Sequence, residues 1–188
     1  MCVIIVKPSG KAMPSDELLK AAYNANPHGC GVISPSTFYK GLSYRSFKEH
    51  LNHVSIDEPC IIHFRLATHG SIKRANCHPF KCEDIYFAHN GILDIRPIGD
   101  KTDSETALQS IIAPAIKAYG WNSPEANAII NQTCGHSKFA MMRNGDVLLF
   151  GQFIHSLDGC YYSNYRFMGY YQPYQPTIMQ KPFTGYQI

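Results

Sequence analysis

The chain has 188 residues, 45% of them hydrophobic, with 17 basic against 14 acidic side chains and a formal net charge of +3. That length suits one domain, which buries roughly 70% of its unfolded surface and needs no disulfide or metal staple. So mild a charge excludes a reading as a strongly basic nucleic-acid or membrane-surface binder, and no apolar run nears the roughly 20 residues that span a bilayer.

Residues 2–7 read as a buried strand, because a β-branched and aliphatic run follows Cys2. Ser15, followed by Asp16 and Glu17, caps a predicted helix to about residue 24 with Leu18, Leu19, Ala22 and Tyr23 on one side. Residues 29–33 form a glycine-entered strand, and 45–54 a short helix with Phe47 and Leu51 four apart. Residues 60–65 are a strong strand with a turn at 67–70. Residues 84–89 form another, ending on the turn signal Asn90-Gly91. Thr102-x-x-Glu105 fits a capping box for a long helix to about residue 119, which Pro114 should kink or split. Ser123-Pro124 opens a further helix. Residues 137–142 and 147–151 flank Asn144-Gly145 as a hairpin. The stretch from Tyr161 is rich in Tyr, Gln and Pro, and Pro173, Pro176 and Pro182 bar its end from a central strand. Strands at both ends with helices between give an α+β class.

The seven cysteines are Cys2, Cys30, Cys60, Cys77, Cys82, Cys134 and Cys160. Met1 leads straight into a strand without a secretion-signal pattern, so the expected compartment is the cytoplasm and the thiols are read as free. Cys2 has a further reading. Trimming of Met1, favoured by a small second residue, would leave a thiol and an α-amine on one residue. Their ordinary pKa values, about 8.5 and about 8, suit a nucleophile and a base near neutral pH. The plain alternative is a buried cysteine at a strand start.

Three other segments place polar groups at strand or helix ends. Arg65 leaves a buried strand, where it could grip a carboxylate bidentately or make a structural ion pair. Asn90-Gly91 offers an amide and a backbone N–H to an oxyanion, or is simply a hairpin turn. Asp103 could hold an ammonium, or only favour the helix dipole.

Taken together, Cys2, Arg65-x-x-Thr68-His69-Gly70, Asn76-x-His78-Pro79, His89-Asn90-Gly91 and Asp103-Ser104-Glu105 resemble, in order and spacing, the class II glutamine amidotransferases. The residues Asn26-Pro27-His28-Gly29-Cys30-Gly31 look like the glycine loop of small stand-alone members. The likeness covers roughly residues 2–170. It implies the N-terminal nucleophile hydrolase fold, a four-layer αββα sandwich of two stacked, mainly antiparallel sheets. On this reading residues 1–170 are the amidotransferase domain and 171–188 a C-terminal tail. The implied reaction hydrolyses the glutamine side-chain amide through a Cys2 thioester, without cofactor or metal. Carried over by motif, Cys2 is the nucleophile, Asn90 and the Gly91 N–H the oxyanion hole, Arg65 the carboxylate ligand and Asp103 the ammonium ligand. Thr68, His69 and Gly70 shape the substrate loop.

The sequence departs from the large synthases at Leu66, where they commonly carry Trp, and at His28-Gly29, which replaces their Arg-Gly. No acceptor domain follows within the chain. The ammonia would go to a separate synthase protein, or the substrate is glutamine alone or another γ-glutamyl amide. Two rival readings are a zinc module on Cys77, His78 and Cys82, and a non-catalytic interaction protein using Tyr161, Tyr162, Tyr165, Tyr170, Tyr171 and Tyr174.

Overall fold

A computed structural model describes residues 1–67, 70–168, 177–178 and 186–187. The elements run β1 (Val3–Lys7), α1 (Asp16–Ala25), β2 (Cys30–Ile33), β3 (Phe38–Gly41), α2 (Tyr44–Leu51), β4 (Cys60–Phe64), β5 (Phe80–Cys82) and β6 (Ile85–Asn90). They continue as α3 (Asp103–Ala107), a π-helical segment (Leu108–Ile112), α4 (Ala113–Tyr119), α5 (Pro124–Cys134), β7 (Lys138–Arg143), β8 (Asp146–Phe150), β9 (Ile154–His155) and β10 (Tyr161–Tyr162). Two short pairings close the chain, β11 (Thr177–Ile178) and β12 (Tyr186–Gln187).

The strands make two sheets in which every recorded pairing is antiparallel. One has the order β11-β9-β10-β1-β4-β2-β3, the other β12-β8-β7-β6-β5. Alternation along the strands divides the apolar residues among three cores. Ile4, Val6, Ile33 and Ile61 meet Ala88, Ala140, Met142 and Leu149 between the sheets. Val3, Ile5, Ile62 and Phe64 face Leu19, Ala22, Phe47 and Leu51 of α1 and α2. Phe87, Phe139, Met141 and Leu148 face Leu108, Ile112, Ile116 and Ile130 on the other side. The result is the expected αββα stack. Each fully buried aliphatic or Phe side chain contributes about 1.5–3 kcal/mol, so all three seams are strong.

Local signals explain most helix starts. Ser15, Thr102 and Ser123 each accept a hydrogen bond from the N–H three residues on, as their types predict, and Ser43 caps α2 in the same way. Pro114 does divide its helix. It lacks an N–H, and the turn before it widens into the π-helical segment. The Asn144-Gly145 hairpin is present, with both residues left-handed at φ 52° and 87°.

Asn90-Gly91, in contrast, is not a hairpin turn. β6 keeps pairing through Asn90 opposite Lys138, and Gly91 (φ 150°) lies so close to Ser137 that a Cβ would collide with its side chain. β3, β5 and β9 are too short to show a period, and sequence reading passes over them. β11 and β12 sit at sheet edges, as the flanking prolines require.

Candidate active site

Sheet register places the site. β1 pairs with β4 from Val3 opposite Phe64 to Lys7 opposite Cys60, so Cys2 emerges beside Arg65. β2 flanks β4 on its other side with Cys30 opposite Phe64, so His28 and Gly29 lie along the same exit. Three chain segments distant in sequence thus meet where the strands end.

The Cys2 thiol is seated on the backbone of Leu66. Leu66 N–H donates to Sγ at 3.4 Å, and the thiol donates to Leu66 O at 3.6 Å. Burial raises its pKa, while Leu66 N–H, the N-terminal ammonium and Arg65 pull it down. Asn164 Nδ2 donates to the Cys2 carbonyl at 2.9 Å, holding the strand from the far side. Met1 is 45% exposed.

Cys2 opens on a cavity of about 570 Å³. Of the candidate site residues read from sequence, Cys2, Arg65, Gly70, Gly91 and Asp103 line it, and so do Asn76, His78, His89 and Ser104 of the motif segments. Arg65 is buried, and its Nη1 donates to Ser71 O at 3.2 Å, to which Asn76 Nδ2 also donates at 3.0 Å. That shared carbonyl explains the Asn76 of the motif, because it shapes the loop beneath the arginine. Asp103 opens α3, and its carboxylate accepts from Ser104 N at 2.7 Å, Ser104 Oγ at 3.1 Å and Leu93 N at 3.1 Å. Thr68 and His69 lie outside the described residues.

Asn90 is not among the residues lining the cavity. Its amide is buried, and Nδ2 donates to Ser163 Oγ at 2.9 Å, leaving Oδ1 without a partner. Ser163 Oγ also accepts from Ile4 N–H at 2.8 Å. Ser163 and Asn164 therefore tie Cys2 and β1 to Asn90 at the end of β6, and sequence reading missed both. No motif marks a serine and an asparagine some 160 positions from Cys2. Only the β1–β10 pairing brings them there.

Three buried histidines cluster at the cavity, with His78 and His89 among its lining residues. The ring centroids of His63 and His78 are 4.2 Å apart, and those of His78 and His89 6.4 Å. Ser104 Oγ donates to Asp103, so it accepts at 2.7 Å from His89 Nδ1–H, which leaves His89 Nε2 a bare acceptor. His63 Nε2–H donates to the His89 carbonyl at 3.1 Å. Burial lowers all three pKa values, to about 3 for His63, to about 4 for His89, and well below the ordinary range for His78. Near neutral pH they are uncharged.

Among the described residues no group of three or more His, Cys, Asp or Glu could hold a metal ion. Cys77 instead turns its thiol to Gly41 O and Lys73 O, at 3.4 and 3.6 Å. All seven cysteines are free thiols. No described helix is long and apolar enough to cross a membrane. Of the tyrosines read as an interaction surface, Tyr162 is buried in the core, and Tyr170, Tyr171 and Tyr174 lie outside the described residues.

Stacked antiparallel sheets covered by helices on both sides, with a cysteine at the start of a central strand, define the N-terminal nucleophile hydrolase architecture. Two solved structures agree on the fold. The glutamine phosphoribosylpyrophosphate amidotransferase from B. subtilis, complexed with ADP and GMP, superposes with a TM-score of 0.55 at 16% identity, covering 86% of this chain and 41% of that one. A structure described as the allosteric regulatory enzyme of purine biosynthesis gives 0.54 at 17%, with the same coverage. The chain thus spans about two fifths of the length of these neighbours. A predicted glutamine amidotransferase from Pseudomonas aeruginosa aligns over 86% of this chain and 78% of its own at 16% identity, with a TM-score of 0.44. No curated protein sequence matches the chain. The sequence model of the family described as glutamine amidotransferases class-II matches residues 49–149, more than half of the chain. The chain belongs to the class II glutamine amidotransferases, a family that hydrolyses the amide of glutamine.

Proposed function

We propose that the protein hydrolyses the side-chain amide of glutamine through a covalent thioester on Cys2 and releases ammonia to a separate acceptor. The supporting observation is that the Cys2 thiol shares one cavity with Arg65, Gly91 and Asp103. Removal of Met1 frees the α-amine of Cys2 to take the thiol proton. Sγ then attacks the amide carbon, and the carbonyl oxygen becomes an oxyanion. The N–H of Gly91 faces that charge, joined by the Asn90 amide once it turns from Ser163. Each such donor is worth about 3–4 kcal/mol in the transition state. The C–N bond breaks, the leaving nitrogen takes the proton from the α-ammonium, and ammonia departs. Water adds to the thioester, giving glutamate and the free thiol. Arg65 takes the substrate carboxylate and Asp103 its ammonium, while Thr68, His69 and Gly70 shape the substrate loop. Residues 1–170 form the catalytic domain and 171–188 its tail. This chemistry calls on no metal or organic cofactor.

Mass spectrometry before and after treatment with 6-diazo-5-oxo-norleucine tests the reading. The expected result is a chain lacking Met1 that gains one adduct, on Cys2. A chain that retains Met1 and still turns over glutamine would rule out the α-amine as base, and no adduct with no turnover would rule out the glutaminase reading.

A further inference from the structure

We infer that His28 is a positioning residue that latches the substrate-binding segment Arg65–Leu66–Ala67 through its Nδ1 lone pair. The inference rests on the glutaminase reading above for its kinetic consequence, but not for the contact itself.

Three hydrogen bonds join 28–29 to 65–67. Arg65 N–H donates to Gly29 O at 2.8 Å, and His28 N–H donates to Arg65 O at 2.9 Å. These continue the β2–β4 ladder past its last assigned pair. The ladder then ends, and Ala67 N–H has no strand to pair with. Its partner is His28 Nδ1, at 3.0 Å. An imidazole nitrogen that accepts from a backbone N–H carries no proton, so the ring proton is on Nε2.

The latched segment is the floor of the cavity. Arg65, Leu66 and Ala67 all line it, and the next described lining residue is Gly70. From the other side Leu66 carries the Cys2 thiol on its own N–H and carbonyl. His28 and Cys2 thus grip one short segment from opposite sides. A shift of Ala67 moves the entry to the substrate loop, while the two Leu66 hydrogen bonds keep the Cys2 thiol seated, so binding suffers more than turnover.

On the resemblance drawn from the sequence, the large synthases have arginine where this chain has His28. Arginine has five donors and no lone pair, so it cannot accept from Ala67 N–H. The latch is therefore a property of this chain's own histidine. Asparagine can replace it, because Oδ1 stands the same number of bonds from the backbone as Nδ1. Glutamine cannot, because its Oε1 lies one bond farther out, where Nε2 is.

The test compares wild type with His28→Leu, His28→Asn and His28→Gln in steady-state glutamine hydrolysis and in amide hydrogen exchange at Ala67. The latch predicts about a 10-fold higher KM for His28→Leu and His28→Gln, with kcat within about 3-fold, and near wild-type KM for His28→Asn. Ten-fold corresponds to about 1.4 kcal/mol, in the range of one net hydrogen bond. Ala67 exchange should quicken about 10-fold in Leu and Gln but not in Asn. Equal KM values for Asn and Gln, or unchanged Ala67 exchange in Gln, overturn the inference. These two polar variants carry the test if His28→Leu does not fold. If wild type leaves glutamine intact, the glutaminase reading fails while Ala67 exchange still decides the latch.

Discussion

Acidification should unfold this protein in a way set by three side chains. His63, His78 and His89 are buried and neutral, with pKa values lowered first of all by burial, to about 3 for His63 and about 4 for His89. In the unfolded chain each returns to about 6.5. Between those limits the unfolded state binds more protons, so stability falls as pH falls through that window and is unaffected by these groups above about pH 7.5. At pH 5 an unfolded histidine is almost fully protonated and the folded one is not, whether its value is 3 or 4. Each then costs 1.36 kcal/mol times about 1.5 pH units, or about 2 kcal/mol. His63 and His89 together remove about 4 kcal/mol, and His78 adds to the same sign. A typical domain has only about 5–15 kcal/mol in all. Urea unfolding at pH 7.5, 6 and 5 should show a loss of about 4–6 kcal/mol across the range. In His63→Gln, whose side-chain amide can still donate to the His89 carbonyl, the loss should shrink by about 2 kcal/mol. Equal stability at pH 7.5 and 5, or the same slope in wild type and His63→Gln, would refute the reasoning.

Two further substitutions probe the supports of the site. Gly91→Ala places a Cβ against the Ser137 side chain and backbone at a φ of 150°, so we expect glutamine turnover to fall below about 1% of wild type, as a donor loss of about 3 kcal/mol implies. Turnover above half of wild type would show that Gly91 has no need to be glycine. Ser163→Ala strips the acceptor from Ile4 N–H, which is buried with its strand, and should lower stability by about 1–3 kcal/mol in chemical denaturation. It also frees the Asn90 amide to turn toward the oxyanion, so kcat should hold or rise in the folded variant. A fall in kcat with the fold intact would show that Asn90 needs the Ser163 anchor rather than release from it.

Much of this protein was legible from local chemistry. The Ser15, Thr102 and Ser123 caps, the break at Pro114 and the Asn144-Gly145 hairpin each depend on a few neighbouring residues, and each is where its residues put it. The five motif segments likewise name residues that come together, because Cys2, Arg65, Asn76, Gly91 and Asp103 all reach one cavity. Asn90-Gly91 shows the limit of local reading. The same dipeptide that turns a hairpin in isolation continues a strand here, since β7 supplies a partner for Asn90 and Ser137 fills the space beside Gly91.

What the sequence determined by itself was the kind of chemistry and its candidate groups, because side-chain types and their order along the chain carry that information. The tertiary structure decided how those groups are held. Antiparallel register set Cys2 against Leu66, swung Ser163 and Asn164 across from the far end of the chain, and brought His28 to Ala67. These contacts join residues up to 162 positions apart, and no spacing rule reaches that far. They exist because strands pair by shared backbone hydrogen bonds, and a one-residue slip would turn every buried side chain to the wrong face.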